Sequence, residues 1–489
     1  MSDPTIDPLE AARREKLRAI EALGLDPWGS RFDDHRAIAE VRKEPVADEP
    51  GSDGPRARIA GRITLRRGQG KVNFLQVRDW TEQIQVFVGK NQVGEAGWAL
   101  AAELDLGDLI GVDGTLGRTK TGEMTLFADG LTFLGKCLLP PPEKWHGLTD
   151  VEKRSRRRYV DLFSNPESLQ AFVARTKILA AFRKVLADRG FVEVETPTMQ
   201  PIAGGAAARP FKTHHNALDL ELYLRIALEL HLKRLLVGGM ERVFEIGRVF
   251  RNEGISPKHN PEFTMLEAYQ AYSDYRGMMD LTEALICGAI DAVDGVYLRP
   301  WGESTVDFTP PWPRRTYAEL LLEHAGVAIE DAPAVEAKAV SLGLDVAGKD
   351  PAVVASEVFE AVVEDALIGP IFVVDYPAAI CPLTKRKAGD PAIAERFELF
   401  VHGMELANAY TELNDPILQE ALFSQQLAGQ KAEDSMATMD DDFVTALKYA
   451  MPPAGGLGVG LDRLCMLLLN KSSIRDVILF PLMRPQAGE

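Results

Sequence analysis

The chain has 489 residues, 46% of them hydrophobic and 26% charged, which can support two or three folded domains with sizeable cores. A formal net charge of −17 argues against a protein that coats nucleic acid by bulk electrostatics, so any RNA contact has to be local. Cys137, Cys287, Cys381 and Cys465 lie far apart with no CxxC pair, which argues against a cysteine zinc site or a disulfide framework and for a reducing compartment.

The opening MSDPTIDPLEAARREKL has no apolar signal core, and no stretch approaches the roughly 18 uninterrupted apolar residues of a membrane span, so a cytoplasmic protein without a membrane partner is expected. Residues 8–24 predict an amphipathic helix with a narrow stripe of Leu17, Ile20 and Leu23. Residues 30–55 are polar, with Pro45, Pro50 and Pro55, so residues 1–55 read as a helix and a connection.

From 56 to 135 short strands alternate with turns: RIAGRITLRR, VNFLQVRD, EQIQVFV, DLIGVDGTLGR and EMTLFADGLTFL. Five strands in about 80 residues predict a small all-β barrel of the OB-fold type. Leu75 and Val77 can face its core, leaving Phe74, Gln76 and Arg78 on the other face, and Gln85 and Phe87 share a face in the next strand. Residues 56–78 hold seven basic side chains, Arg66 among them, and no acid. An exposed aromatic beside amides and arginines suits single-stranded base recognition, unless Phe74 points inward.

Residues 136–165 read as a linker with Pro140 to Pro142 and the run KRSRRR at 153–158, which either touches RNA or is simply solvated. Asn165 and Pro166 open a predicted helix through Arg189, Gly190 ends it, and VEVETP follows as a strand. GGAAARPF at 204–211 allows close backbone approach to a ligand, and Glu229 stands near the start of the helical stretch 224–235. Residues 242–273 predict a hairpin with Glu245, Val249 and Arg251 on one face of its first strand and Phe263, Glu267 and Tyr269 on one face of its second. An arginine, acids and aromatics converging there suit a nucleotide beside an amino acid.

Residues 276–370 are mostly helical, and 397–415 predict another hairpin turning near Gly403. Alternation puts Asn408, Tyr410 and Glu412 on one face and Glu405 on the other. PPAGGLGVGLDRLCMLLLN at 452–470 reads as a glycine-rich entry into an apolar helix. Arg463 then sits in the first turn, where the helix dipole disfavours a cation by about 0.3 to 1 kcal/mol.

FRNEGISPKHNPEF resembles the second signature motif of class II aminoacyl-tRNA synthetases, in particular their lysyl members, and the similarity runs from about residue 10 to residue 484. The helix, strand and Pro197 resemble the first motif, which implies a homodimer, and the glycine-rich segment with Arg463 resembles the third. Residues 56–135 resemble the lysyl anticodon-binding domain. Departures are Leu228, where the family usually has proline, and Val249, where it more often has a polar residue.

The resemblance implies an α+β catalytic domain at 166–489, with an antiparallel sheet flanked by helices. It further implies activation of L-lysine with ATP and transfer to tRNA(Lys), with Mg2+ as cofactor. It assigns the α-phosphate and substrate carboxylate to Arg251, the carboxylate also to Asn408, and the α-amine to Gly205. Glu267, Tyr269 and Glu412 would surround the ε-ammonium, and Glu229 would also bind the lysine or else simply stabilise the helix start. Phe263 would stack adenine, Glu253, His259 and Arg463 would contact ATP, and Glu405 and Glu412 would hold magnesium. Seven residues of straight strand span roughly 23 Å, so a shared metal needs a bend near Ala407 to Ala409, and without it only one is a ligand. Phe74, Gln85 and Arg66 would meet the anticodon. Acids at 267 and 412 disfavour an aspartyl or asparaginyl enzyme, the barrel disfavours a protein-lysylating paralogue, and the presence of Arg251, Glu405, Glu412 and Arg463 disfavours a non-catalytic RNA binder.

Overall fold

The computed structural model describes residues 7–142, 148–206, 208–429 and 440–486. Two compact units divide between Leu169 and Gln170. Parts of the predicted N-terminal segment (1–6), linker (143–147) and glycine-rich segment (Ala207) lie outside the described residues.

In the first unit, Asp7 caps the helix Pro8–Ala22 by accepting from Leu9 N, and Pro8 takes the first helical position. Five strands follow: β1 (Arg56–Gln69), β2 (Val72–Arg78), β3 (Gln83–Gly89), β4 (Leu109–Arg118) and β5 (Met124–Gly135). They close into a barrel in the order β1-β2-β3-β5-β4. Strict alternation drives the closure: Leu75, Val77, Ile84, Val86 and Val88 are buried inside, and the residues between them face out. The helix Lys90–Glu103 between β3 and β4 was not legible in the sequence, where Gly94 and Gly97 interrupt any apolar stripe. The predicted linker contains two short helices, Val151–Arg156 and Arg158–Ser164. Their basic run is split: Arg154 and Arg158 pair with the buried Asp161, Arg156 pairs with the exposed Glu152, and Lys153 and Arg157 are exposed.

The second unit is built on strands β6 (Val192–Glu193), β7 (Met199–Gln200), β8 (Lys212–His215), β9 (Leu220–Leu224), β10 (Arg242–Phe250), β11 (Glu262–Ala271), β12 (Leu298–Trp301), β13 (Ser304–Asp307), β14 (Arg314–Thr316), β15 (Ile371–Pro377), β16 (Arg386–Lys387), β17 (Asp390–Val401), β18 (Met404–Thr411) and β19 (Ala454–Gly460). The main sheet runs β14-β15-β17-β18-β19-β11-β10-β6, with β16 added to β17. It is antiparallel except for its two end pairs, β14 with β15 and β10 with β6. Helices Pro166–Asp188, Tyr275–Val293 and Leu461–Leu468 cover one face and form a core with Leu266, Ala268, Ala409, Leu457 and Val459. Period-two alternation sends Glu267, Asn408, Tyr410, Gly456 and Gly458 to the opposite face, where the cavity lies.

Three expectations change in detail. The glycine-rich stretch at 454–460 is a central strand, and only from Leu461 does the chain become helical. VEVETP shortens to the two-residue edge strand β6. The mostly helical stretch 276–370 also holds the β12–β13 hairpin and β14.

Candidate active site

The β10–β11 hairpin aligns Val249 with Phe263 and Glu245 with Glu267. Its polar loop folds back as Arg251 N donates to Pro261 O at 2.8 Å, which brings the Arg251 guanidinium 5.2 Å from the centre of the Phe263 ring. Burial lowers the Arg251 pKa, and its buried Nε has no hydrogen-bond partner among the described residues. Glu245 and Val249 do not join it. Glu245 pairs with Arg225 at 2.5 Å and accepts from Thr196 Oγ1, and Val249 packs in a small core with Leu228 and Tyr269.

Gly205, Glu229, Arg251, Glu253, His259, Phe263, Glu267, Tyr269, Glu405, Asn408, Tyr410 and Arg463 line one cavity of about 410 Å3. At one end Glu267 accepts from Leu228 N and Tyr269 OH, both at 2.9 Å. A proline at 228 would lack that amide proton, so this departure gives Glu267 an additional donor. Burial first, and the charge of Glu229 second, push the Glu267 carboxyl up to about 7. Glu229 is buried at the start of the helix Glu229–Val237 and accepts from Tyr410 OH at 2.9 Å.

At the other end Arg463 Nη1 donates to Glu405 O and Nη2 to His259 Nε2, both at 3.0 Å. Burial, then the Arg463 charge, lower the His259 pKa and favour the neutral ring that accepts this bond. Asp462 is engaged by the protein, pairing with Arg175 at 2.5 Å and accepting from Thr264 N at 2.7 Å, so it anchors the helix start.

Glu405 reaches the cavity through a break in alternation. Leu399 pairs with Ala407 and Phe400 with Glu405, so Leu406 is the extra residue of a β-bulge. The bulge reverses the predicted facing and puts Glu405 on the same wall as Asn408 and Tyr410. The required bend exists, one residue earlier than expected.

Glu412 is placed differently from the other acids. It is fully buried, absent from the cavity wall, and ion-paired with Lys233, which also pairs with Glu229. The structure does not bring it to the cavity wall that carries Glu405. Two acids register the Glu405 charge: Glu398, whose carboxyl burial raises while Arg396 opposes and Glu405 adds to the rise, and Glu364, pushed up to about 7 by burial with Glu398, Glu360 and Glu405 adding to it.

On the barrel, Phe74, Gln76 and Arg78 do lie on the half-exposed face of β2. Phe74, Phe87 and Phe127 sit in register on β2, β3 and β5, with ring centres 5.4 and 5.2 Å apart in turn. Gln85 donates to Thr125 Oγ1 at 2.8 Å on the same face. Arg66 is engaged elsewhere, donating to the Ala102 and Leu104 carbonyls at the end of the helix Lys90–Glu103.

Residues 150–484 match the family of class II tRNA synthetases (D, K and N), and residues 57–134 match the OB-fold nucleic acid binding domain. The chain belongs to the class II tRNA synthetases. It is 52% identical to the lysine–tRNA ligase of Pelotomaculum thermopropionicum, over 98% of this chain and 96% of that one. It is 50% identical to the lysine–tRNA ligase of Moorella thermoacetica over 98% of both chains, and 48% identical to that of Dehalococcoides mccartyi over 97% of both.

Within this class II synthetase the cavity has two chemically distinct ends, one acidic and one cationic with an aromatic ring. Magnesium requires hard oxygen ligands and usually keeps some of its coordination for substrate phosphates. Glu405, 41% exposed at the side chain, fits that requirement as it stands, whereas Glu398 is paired with Arg396 and accepts from Tyr376 OH, and Glu412 is paired with Lys233. Glu398, Lys233 and Phe127 escaped the sequence reading. Glu398 becomes a neighbour of Glu405 only through the bulge, and Phe127 joins the aromatic row through a parallel pairing. Lys233 stands four residues after Glu229, a spacing that signals a helical ion pair but not its third member.

Proposed function

We propose that this class II synthetase is a lysine–tRNA ligase that joins L-lysine to ATP as lysyl-adenylate, releasing pyrophosphate, and then transfers the lysyl group to the 3′ end of tRNA(Lys). The observation that carries the amino-acid choice is the pair of buried carboxylates, Glu229 and Glu267, at the end of the cavity opposite Arg251 and Arg463. An ammonium side chain adds positive charge beside these two acids, whereas a carboxylate side chain would be repelled by them.

In the first step a substrate carboxylate oxygen attacks the α-phosphorus and the pyrophosphate oxygen leaves. Little covalent work falls to side chains, so positioning and charge stabilisation dominate. Arg251 bridges the carboxylate and the α-phosphate with its planar fork, and Asn408 holds the same carboxylate. Phe263 stacks the adenine, Arg463 faces the phosphates, and Glu253 and neutral His259 contact the nucleotide from the loop. Gly205 leaves room for the α-amine beside Ala227. Glu405 would hold magnesium, joined by Glu398 on release of its Arg396 pair, and the ion when bound would offset the phosphate charge.

On the barrel, Phe74 with Phe87 and Phe127 offers a stacking surface for unpaired anticodon bases, and Gln85 supplies an amide at its edge. Arg66 supports this face through the helix it caps. A homodimer is supported by β6, whose Val192 is 51% exposed, and by Met199, 56% exposed close by in sequence. Among the described residues no helix is long and apolar enough to cross a membrane. ATP–pyrophosphate exchange with each of the twenty amino acids is the test: exchange should depend on lysine, and dependence on aspartate or asparagine would reject the reading.

A further inference from the structure

Arg396 on β17 does not line the cavity, but Asn408 on the neighbouring strand β18 does. All three guanidinium nitrogens of Arg396 are engaged: Nε donates to Asn408 Oδ1 at 3.1 Å, Nη1 donates to Cys381 Sγ at 3.4 Å, and Nη2 pairs with Glu398 Oε1. The guanidinium carbon lies 4.9 Å from the centre of the Tyr376 ring, whose hydroxyl donates to the other oxygen of Glu398 at 2.9 Å. A planar fork anchored at every nitrogen and against a ring has one orientation.

A guanidinium has donors and no acceptor, so the amide atom of Asn408 that meets Arg396 has to be the oxygen. The Asn408 NH2 is thereby left at the cavity wall, with no hydrogen-bond partner among the described residues. Turned the other way, the amide would offer its oxygen to a substrate carboxylate, and two acceptors repel. The neighbouring strand makes that turn favourable once Arg396 is gone, because Glu398 stands opposite Asn408 in register. Deprived of its cation, the Glu398 carboxylate becomes an acceptor for the Asn408 NH2 and draws it away from the cavity.

We infer that Arg396 is a positioning residue for the amino-acid substrate: through Nε it locks the Asn408 amide with its NH2 free to donate to the substrate carboxylate. This rests on the lysine reading above, in which Asn408 holds that carboxylate. The bond to Asn408 and the pair with Glu398 use separate nitrogens, so the second can open while the amide stays fixed. Arg396 touches no part of the substrate and acts only through the side chain that does.

The test titrates L-lysine, and cadaverine, which is lysine without its carboxylate, into the full chain by calorimetry in the absence of ATP and magnesium, with thermal unfolding on the same preparations. Arg396→Met should raise the lysine dissociation constant roughly fivefold or more, the equivalent of one net hydrogen bond, and leave that of cadaverine unchanged. In an Asn408→Ala background the same substitution should cost no further lysine affinity, because both changes remove one contact. Arg396→Met/Glu398→Gln lacks the orphaned acid, so it keeps the inference testable if the single variant does not fold, and its lysine affinity should stay reduced. Wild-type lysine affinity in a folded variant without Arg396, equal losses for lysine and cadaverine, or losses that add to those of Asn408→Ala would overturn the inference. Binding of aspartate or asparagine in place of lysine by the wild-type protein would instead overturn the reading beneath it.

Discussion

Gly456 and Glu412 compete for one volume: a Cβ on Gly456 would stand 1.9 Å from Glu412 Oε1 and 2.6 Å from Tyr269 Cε1. The bare backbone of β19 is therefore what lets the acid lie against the centre of the sheet. Gly456→Ala should displace both side chains, lowering stability by about 1 to 3 kcal/mol, as overpacking typically does. Tyr269 in turn donates to Glu267, so the lysine KM should rise more than the ATP KM. Thermal unfolding and exchange kinetics check this, and an unchanged lysine KM would show that the wall tolerates the methyl.

Phe74→Ala should weaken tRNA aminoacylation and leave lysine-dependent pyrophosphate exchange nearly intact, because the barrel belongs to a separate compact unit. A stacked base is worth about 1 to 3 kcal/mol, roughly a five- to 150-fold loss. Phe127→Ala should act in the same direction, since its ring continues the row through Phe87. Equal losses in both assays, or in neither, would remove the row from RNA recognition.

The barrel face was legible because β2 and β3 are half-buried strands with an unbroken period of two, so Leu75 and Val77 predicted where Phe74 would point. The same rule misplaced Glu405, because one bulged residue, Leu406, shifts the facing of everything before it. Glu245 was misread for another reason: alternation gives the face but not the partner, and Arg225 claims the carboxylate from a different segment. Arg66 and the run 153–158 carried a true charge signal; the helix-end carbonyls that Arg66 meets are set by tertiary contact, whereas Arg156 with Glu152 and Arg158 with Asp161 are local pairs four and three residues apart.

Glu267 gives a pH dependence with a definite sign. Its carboxyl is raised by burial to about 7, so in the free enzyme it carries a proton over part of the range in which an unfolded carboxyl is ionised. Binding the substrate ammonium requires the ionised form, so the lysine KM should rise as pH falls below about 7 while the ATP KM changes little. Linkage runs the other way for stability. A raised carboxyl is most favourable to the fold below its unfolded pKa, and that advantage is lost as pH rises through about 7, by about 3 kcal/mol for a shift of this size. Glu267→Gln should therefore melt higher than the wild type at pH 8 and lose lysine activation. A variant that melts lower at pH 8, or one that keeps the wild-type lysine KM, contradicts this.

Arg251→Ala should abolish adenylate formation without unfolding the protein. Arg251 follows β10, stacks 5.2 Å from the Phe263 ring centre, and faces the cavity that also holds Glu267, Asn408 and Arg463. Its buried Nε has no hydrogen-bond partner among the described residues and burial already lowers its pKa, so the guanidinium is held at a cost in the free protein. A group held at a cost is explained by what it does with substrate, here charge stabilisation at the α-phosphate. Losing one preorganised donor at a developing oxyanion costs about 3 to 4 kcal/mol, a hundred- to thousandfold in rate. Truncation also removes an incompletely satisfied buried charge, so the melting temperature should hold or rise. A structural arginine would show the opposite pair of results, a lowered melting temperature with near-normal exchange by the folded fraction. Both quantities measured on one preparation decide between them, and near-normal exchange would remove Arg251 from the chemistry.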